Sequence, residues 1–513
     1  MTYKYAHLPR SASKPLECGL EGHALLHDSY FNKGSAFPSQ ERHDFGLHGL
    51  LPPNIQTLDE QVERAYQQYS SQPDDLAKNT FMASMKAQNE VLYYRLISDH
   101  LKEMFSVIYT PTEGDAIQNY SRIFRKPEGC FLNIHDVDRI EHDLKQFTDN
   151  GTNEDVDYIV VTDGEEILGI GDQGVGSVLI SVAKLVLTTL EDFGLKNARR
   201  LLEKYRPQIA CFNDDVQGTG CVTLAALIAG LHVSKVKLGD VRIVIFGSGT
   251  AGTGIADQIR DAIATESGKS KEEAAKHIWC IDKPGLLFKS HEDKLTPAQI
   301  PYAREDSEWE DHSQTDLHNV VKRVQPHALI GTSTKPKAFT EDVIREMAKH
   351  VDRPIVFPLS NPTRLHEAQP RDINEWTDGK ALIATGSPFP PVEHNGVKKE
   401  IAECNNSTCF PGIGLGAVLS QSRLLSDKML VAAVKALAAQ SPALQDPNKP
   451  LLPDVEDVRE ISVHIAKAVI QAAVEEELAQ EKGIPEDDQE LEQWIREQMW
   501  DPVYRPLVKG RST

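Results

Sequence analysis

The chain has no Cys-x-x-Cys pair, no internal repeat, no low-complexity block and no excess of positive charge. Its seven cysteines, Cys18, Cys130, Cys211, Cys221, Cys280, Cys404 and Cys409, are odd in number and scattered. That pattern excludes a disulfide scaffold and a paired-cysteine metal or redox motif. It fits reduced thiols in a cytosolic or matrix-type compartment. The best apolar run, Val222 to Val233, is too short to span a bilayer, so no transmembrane helix is expected. The first thirty residues mix Lys4, Arg10, Glu17 and Asp28 without an apolar segment. No secretory signal is read there, and the cytosol is the default. Lysine and arginine number 55 against 76 aspartate and glutamate, a formal net charge of −21. Such a surface repels phosphate backbones and anionic bilayers, so neither nucleic acid nor membrane is expected as a partner. An anionic small substrate would then need a local cation or a metal to hold it.

What is present is enough apolar sequence, 40% of 513 residues, for two or three separate cores. Residues 1–80 are polar and turn-rich, with a helix from Leu58 to about Ser70. A single apolar-striped helix is expected from Asn89 to Ile108, stopped by Pro111, with Thr112 and Asp115 opening the next one. Tyr158–Asp163 reads as a strand, Ile167–Gly176 as a glycine-rich strand and loop, and Ile209–Phe212 as a short strand. From Val241 onward strands alternate with helices: 241–246, 277–282, 328–330, 355–357 and 382–384. That alternation predicts an α/β fold with a doubly wound parallel sheet of Rossmann type, behind an N-terminal domain of helices and α/β structure. The boundaries drawn are 1–215 for a substrate and metal domain, 216–473 for the nucleotide domain and 474–513 for a solvated helical tail.

Three groups of residues carry chemistry. Gly247, Gly249 and Gly252 form a G-x-G-x-x-G between a strand and a helix, and the next strand ends in Asp282. In that context the glycines let a pyrophosphate approach a helix N-terminus, and Asp282 accepts from ribose hydroxyls. The acid favours NAD, although Lys283 beside it could serve the extra phosphate of NADP. Glu191, Asp192, Asp214 and Asp215 offer only oxygen ligands, which suit Mg²⁺ or Mn²⁺ better than zinc. On spacing alone, solvated turns or helix caps are the better reading of such pairs. Lys184 stands in the apolar stretch Val178–Leu190 and is either a lysine of lowered pKa or one that snorkels to water. Tyr109 reads as core or as a proton donor. Asn361, Asn405 and Asn406 fit turn chemistry or ligand contacts.

Taken in order, the stretches YTPTEG (109–114), LGIGDQG (168–174), EDF (191–193), FNDDVQGT (212–219), PLSNPT (358–363), ATGSP (384–388) and FPGIGL (410–415) resemble the malic enzyme family, most of all its fungal branch. FNKG (31–34) and MWDP (499–502) also fit. The resemblance implies oxidative decarboxylation of L-malate to pyruvate and CO₂ with NAD or NADP and a divalent ion, in a homodimer or homotetramer. It implies that Lys184 is the general base, that Tyr109 protonates the product carbon, and that Asp214 holds Lys184 in its charge state. It implies that Glu191, Asp192 and Asp215 hold the metal. Asn361 and Asn405 become contacts to malate and the nicotinamide ribose.

Two departures stand against that pattern. Leu190 runs directly into Glu191, where the family carries a long insert with two central strands. Glu166 stands where many members have an arginine for a malate carboxylate. These departures motivate a second expectation, a homologue that binds NAD without turning over. A malolactic-type enzyme is a third.

Overall fold

A computed structural model describes residues 14–147, 157–167, 170–184, 192–309, 311–361 and 363–510. The chain divides into two compact units, Met1–Thr152 with Val175–Ala183 and Pro485–Thr513, and Asn153–Gly174 with Lys184–Ile484.

The first unit is mainly helical. Helices Leu58–Ser70, Asp75–Lys86, Glu90–Asp99 and Leu101–Ile108 pack around Tyr69, Met82, Leu96 and Met104. The single helix expected over 89–108 is broken at His100, whose backbone leaves the helical region (φ −133°, ψ 30°). Its ring stacks on Tyr66 at 4.0 Å, so a side-chain contact competes with continuation of the helix. A smaller core holds Leu25, Phe37, Phe45 and Leu47, and Leu507 joins it from the far end of the sequence. Strand Leu16–Cys18 pairs in parallel with Leu507–Lys509 there. Lys33, only 4% exposed, is neutralised by Glu41 at 2.6 Å, and Glu41 also accepts from the backbone N–H of Leu507. Burial pulls the Lys33 ammonium below its ordinary pKa, against the pull of Glu41.

The second unit is built on seven strands: β1 (Ile243–Phe246), β2 (Ile278–Asp282), β3 (Gly285–Leu286), β4 (Ala328–Gly331), β5 (Ile355–Pro358), β6 (Leu382–Thr385) and β7 (Ala402–Glu403). Their order is β7-β6-β5-β4-β1-β2-β3, parallel except for the β2–β3 hairpin. Alternate residues bury on opposite faces, as the pleat requires. Ile243, Ile245, Ala328, Ile330, Ile355 and Phe357 face one core. Val244, Leu329, Val356 and Ile383 face the other. Helices Thr219–Ser234, Thr250–Ser267, Asp427–Ala438 and Val458–Glu475 cover the first face, and Leu317–Val324 and Glu341–His350 cover the second. This is the doubly wound sheet read from the alternation of elements.

Three expectations are corrected. Tyr158–Asp163 forms no strand, and Ile159 and Val161 are 61% and 45% exposed. A strand needs neighbours to take its N–H and C=O groups, and among the described residues no ladder forms along 158–163. Ile209–Phe212 likewise has no ladder partner among the described residues and enters the acidic turn as irregular backbone. The helical stretch Asp214–Ser234 is longer than the apolar run within it and meets the length and composition of a membrane span, yet it is buried in the sheet's own core. In the segment read as a solvated tail, helix Asp488–Gln498 buries Leu491 and Ile495.

Removing one partner of the Lys33–Glu41 pair strands a buried charge, at a cost of about 3–5 kcal/mol. Glu41→Ala is therefore expected to lower the unfolding free energy of the first unit, measured by urea titration, by that amount. The double variant Lys33→Met/Glu41→Leu is expected to recover most of the loss. Equal loss in both variants would show that the pair itself is unimportant.

Candidate functional site

The glycine loop lies between β1 and the Thr250–Ser267 helix. Gly247 has φ +101°, and a Cβ there would fall 2.5 Å from the backbone of Ser333. A Cβ on Gly252 would fall 1.9 Å from the carbonyl oxygen of Gly247. Both positions are closed to any side chain. At Gly249, by contrast, a Cβ would meet nothing within 4 Å. The loop is packed tightly behind and open in front, at the N–H end of an 18-residue helix, which is what an approaching pyrophosphate needs. Asp282, at the end of β2, turns its carboxylate to this loop. It accepts from the Ser248 N–H at 3.0 Å, the Lys283 N–H at 2.7 Å and the Gln299 side chain at 3.2 Å.

The carboxyl ends of the other strands converge on the same edge, where ligands of open α/β sheets are held. Glu367, wholly buried, accepts from Ser333 N and Oγ and from Ser360 Oγ, tying the loops after β4 and β5. Asn361 links the loops after β5 and β6, donating to Gly386 O at 3.1 Å and accepting from Ser387 Oγ. Asn405, after β7, caps a short turn by accepting from Ser407 N and donates to Glu403.

The acidic turn sits in the same unit. Asp214–Gly218 is a π-turn closed by the Thr219 N–H donating to Asp214 O. Such wide turns interrupt helices mostly at functional sites. Asn213 caps it by accepting from Val216 N at 2.9 Å, and Gln217 Oε1 accepts from Asn213 N at 3.0 Å. Asp214 is fully buried and Asp215 nearly so. A Cβ on Gly218 would stand 1.9 Å from Asp214 Oδ1, so the glycine makes room for the carboxylate. Asn406 donates to Asp214 Oδ2 at 3.0 Å and Asp214 O at 3.3 Å, and contacts Thr219 Oγ1 at 3.1 Å.

Asp192 donates its N–H to Asp215 Oδ2 at 2.8 Å, from a backbone with φ +51°. Two of the acids named as metal ligands are thereby brought together. Glu191 and the side chain of Lys184 lie outside the described residues, although the Lys184 backbone closes helix Val178–Lys184. Among the described residues no three His, Cys, Asp or Glu side chains form a cation site. The Glu166 N–H donates to Asp192 O at 3.2 Å, placing another acidic residue beside this pair.

Tyr109 belongs to the first unit. It follows helix Leu101–Ile108 in extended backbone, half-buried, with its ring against Phe105. Its carbonyl accepts from the Glu113 N–H at 2.9 Å. Glu113 is buried, and desolvation pushes its carboxyl up to about 7 against the opposing pull of Asn79, Arg125 and Lys86.

Sequence reading passed over Glu367 and Glu113, and it singled out Asn406 beside Asn405 without pairing it with Asp214. Asn406 is signalled only as the neighbour of Asn405, and which of two adjacent asparagines faces an acid depends on tertiary placement. Glu113 lies inside a recognised motif, but nothing local shows that its carboxyl is buried.

The family model "Malic enzyme, NAD binding domain" matches residues 216–474, and "Malic enzyme, N-terminal domain" matches 86–190. The "NAD-dependent malic enzyme, mitochondrial" of Saccharomyces cerevisiae is 47% identical over 572 residues, covering 96% of this chain and 84% of that one. The "NAD-dependent malic enzyme" of Schizosaccharomyces pombe is 44% identical over 570 residues, covering 98% and 100%. Both alignments are longer than the 513-residue chain, so these relatives carry internal sequence that it lacks. The N-terminal match stops at residue 190, where Leu190 meets Glu191. Among solved structures, Entamoeba histolytica malic enzyme aligns with TM-score 0.54 at 20% identity, covering 88% of this chain and 90% of that one. Malic enzyme from Pyrococcus horikoshii aligns with TM-score 0.51 at 21% identity, covering 77% and 88%. These two likenesses speak for the fold. The identities over nearly the whole sequence go further: the chain belongs to the malic enzyme family and carries its NAD-binding domain.

Proposed function

We propose that this protein oxidises and decarboxylates L-malate to pyruvate and CO₂, with NAD as the electron acceptor. The observation that carries the reading is the buried Asp214–Asp215 turn, kept whole in a chain so like NAD-dependent malic enzymes. The open face at Gly249 and the carboxylate of Asp282 suit a dinucleotide with free ribose hydroxyls. An acid in that place disfavours the added phosphate of NADP. Bound NAD supplies a hydride acceptor at its nicotinamide. A divalent ion on the oxygens of Glu191, Asp192 and Asp215 would polarise the C2 oxygen as a Lewis acid.

The residues divide the remaining work. Lys184 takes the C2 hydroxyl proton, and Asp214 balances its charge. Asn406 fixes Asp214 by its amide. Tyr109 returns a proton to C3 after CO₂ departs. Asn361 and Asn405 orient malate and the nicotinamide ribose. We further propose that the protein is a homo-oligomer and that its functional domains follow the boundaries 1–215, 216–473 and 474–513.

A second reading, NAD binding without turnover, draws on the internal sequence that the relatives have in addition, and on Glu166 beside Asp192. An acid at that place repels a malate carboxylate.

Folded protein given malate, Mn²⁺ and NAD is expected to form reduced nicotinamide and pyruvate in equal amounts. A chelator is expected to stop turnover and leave NAD binding by calorimetry unchanged. NAD binding with no product under any metal would establish the second reading instead. Asp282→Ala removes an acceptor for ribose hydroxyls, worth roughly 1.5–3 kcal/mol for a charged hydrogen bond. It is expected to raise KM for NAD by roughly 10- to 100-fold with little change in kcat. Glu166→Arg is expected to lower KM for malate at least tenfold, and an unchanged KM would remove residue 166 from the substrate site.

A further inference from the structure

The first unit holds a buried acid for which the proposed reaction has no task. Glu113 is 5% exposed and Asn79 4% exposed. The amide nitrogen of Asn79 donates to Val107 O at 2.8 Å and to Glu113 Oε2 at 2.8 Å. Val107 lies two residues before Tyr109, and Glu113 lies four residues after it. One amide therefore grips both shoulders of the turn that carries Tyr109. The Glu113 N–H donating to Tyr109 O closes the turn from within. The orientation of Asn79 is fixed from its other side, because Arg125 donates to Asn79 Oδ1. With that oxygen engaged, only the NH₂ group is left to face Glu113.

We propose that Glu113 is a positioning residue for Tyr109, holding the phenol for proton delivery when its carboxylate is ionised and slackening that hold when it is protonated. The inference rests on the malate reading and assigns Glu113 a part in its proton-return step. A charged acceptor makes a hydrogen bond roughly twice as strong as a neutral one, so the Asn79 grip depends on the proton count of Glu113. The groups facing Glu113 are Arg125 and Lys86, which favour its charge, and the phenol of Tyr93, whose own proton is held tighter by burial first, then by Tyr94 and Glu113. Lys86 is also paired with Glu128 at 2.9 Å. Burial outweighs the cations and brings the carboxyl up to about 7, so both forms are populated near neutrality.

The step isolates well. Exchange of the methyl protons of pyruvate with D₂O, followed by NMR, reads proton transfer at C3 without hydride transfer or decarboxylation. In the wild type this rate is expected to fall as pH drops through about 7. Glu113→Gln fills the same space and never ionises. It is expected to exchange roughly tenfold more slowly than wild type at pH 8, with the acid limb gone and KM for NAD unchanged, because a charged and a neutral hydrogen bond differ by about 1–1.5 kcal/mol. Arg125→Gln removes a stabilising cation and is expected to move the limb to higher pH, which keeps the question answerable if Glu113→Gln folds poorly. Thermal melting gives a readout without activity. A carboxyl raised in the folded state adds stability below its ordinary pKa, and this is lost as pH rises through about 7. Wild type should show that fall and Glu113→Gln should not. Wild-type exchange and an intact acid limb in Glu113→Gln would overturn the role of Glu113 alone. A folded wild type that neither exchanges pyruvate protons nor oxidises malate would overturn the malate reading and the inference with it.

Discussion

Two neighbouring carboxylates taken out of water repel each other and lose their hydration, a cost of several kcal/mol per ion unless hydrogen bonds replace the water. Everything around Asp214 and Asp215 reads as an answer to that cost. Asn213 caps the turn, Gly218 leaves space for Asp214 Oδ1, the Asp192 N–H donates to Asp215 and the Asn406 amide donates to Asp214. The π-turn that displays these acids leads directly into a deeply buried helix of the nucleotide unit, Thr219–Ser234. The acid pair is therefore anchored in the core rather than on a loop, and its geometry inherits the rigidity of the sheet beneath.

The other side of the site is less complete. Tyr158–Asp163 has the composition of a buried strand, yet Ile159 and Val161 face water. Such a segment becomes a strand only when other strands satisfy its backbone. In the first unit Phe124, Ile134 and Val137 are also exposed.

Sequence reading captured the sheet because parallel strands buried on both faces are short apolar runs, bounded here by glycine, proline and capping residues. Ser270 and Glu273, three residues apart, open helix Lys271–Ala275 as a capping box, each side chain accepting from the other's backbone N–H. The glycine fingerprint was legible for a similar reason, since only glycine tolerates the backbone at Gly247 and the contact at Gly252. What stayed illegible depends on tertiary context. The strand at 158–163 needs neighbours that local pattern cannot report. The break at His100 follows from a ring contact with Tyr66, which lies far away in sequence. The burial of Glu113 and the choice of Asn406 over Asn405 for Asp214 are decided by which side of a loop faces inward, and residue type does not encode that.

The parallel pairing of Leu16–Cys18 with Leu507–Lys509 has a consequence for how the molecule is made. The small core around Phe37 and Phe45 takes in Leu507, and the buried Glu41 receives the Leu507 N–H. A ribosome delivers those partners last, after the nucleotide unit has emerged and had time to fold, at about 5–20 residues per second. The core around Phe37 and Phe45 is therefore completed only after Leu507 has been made.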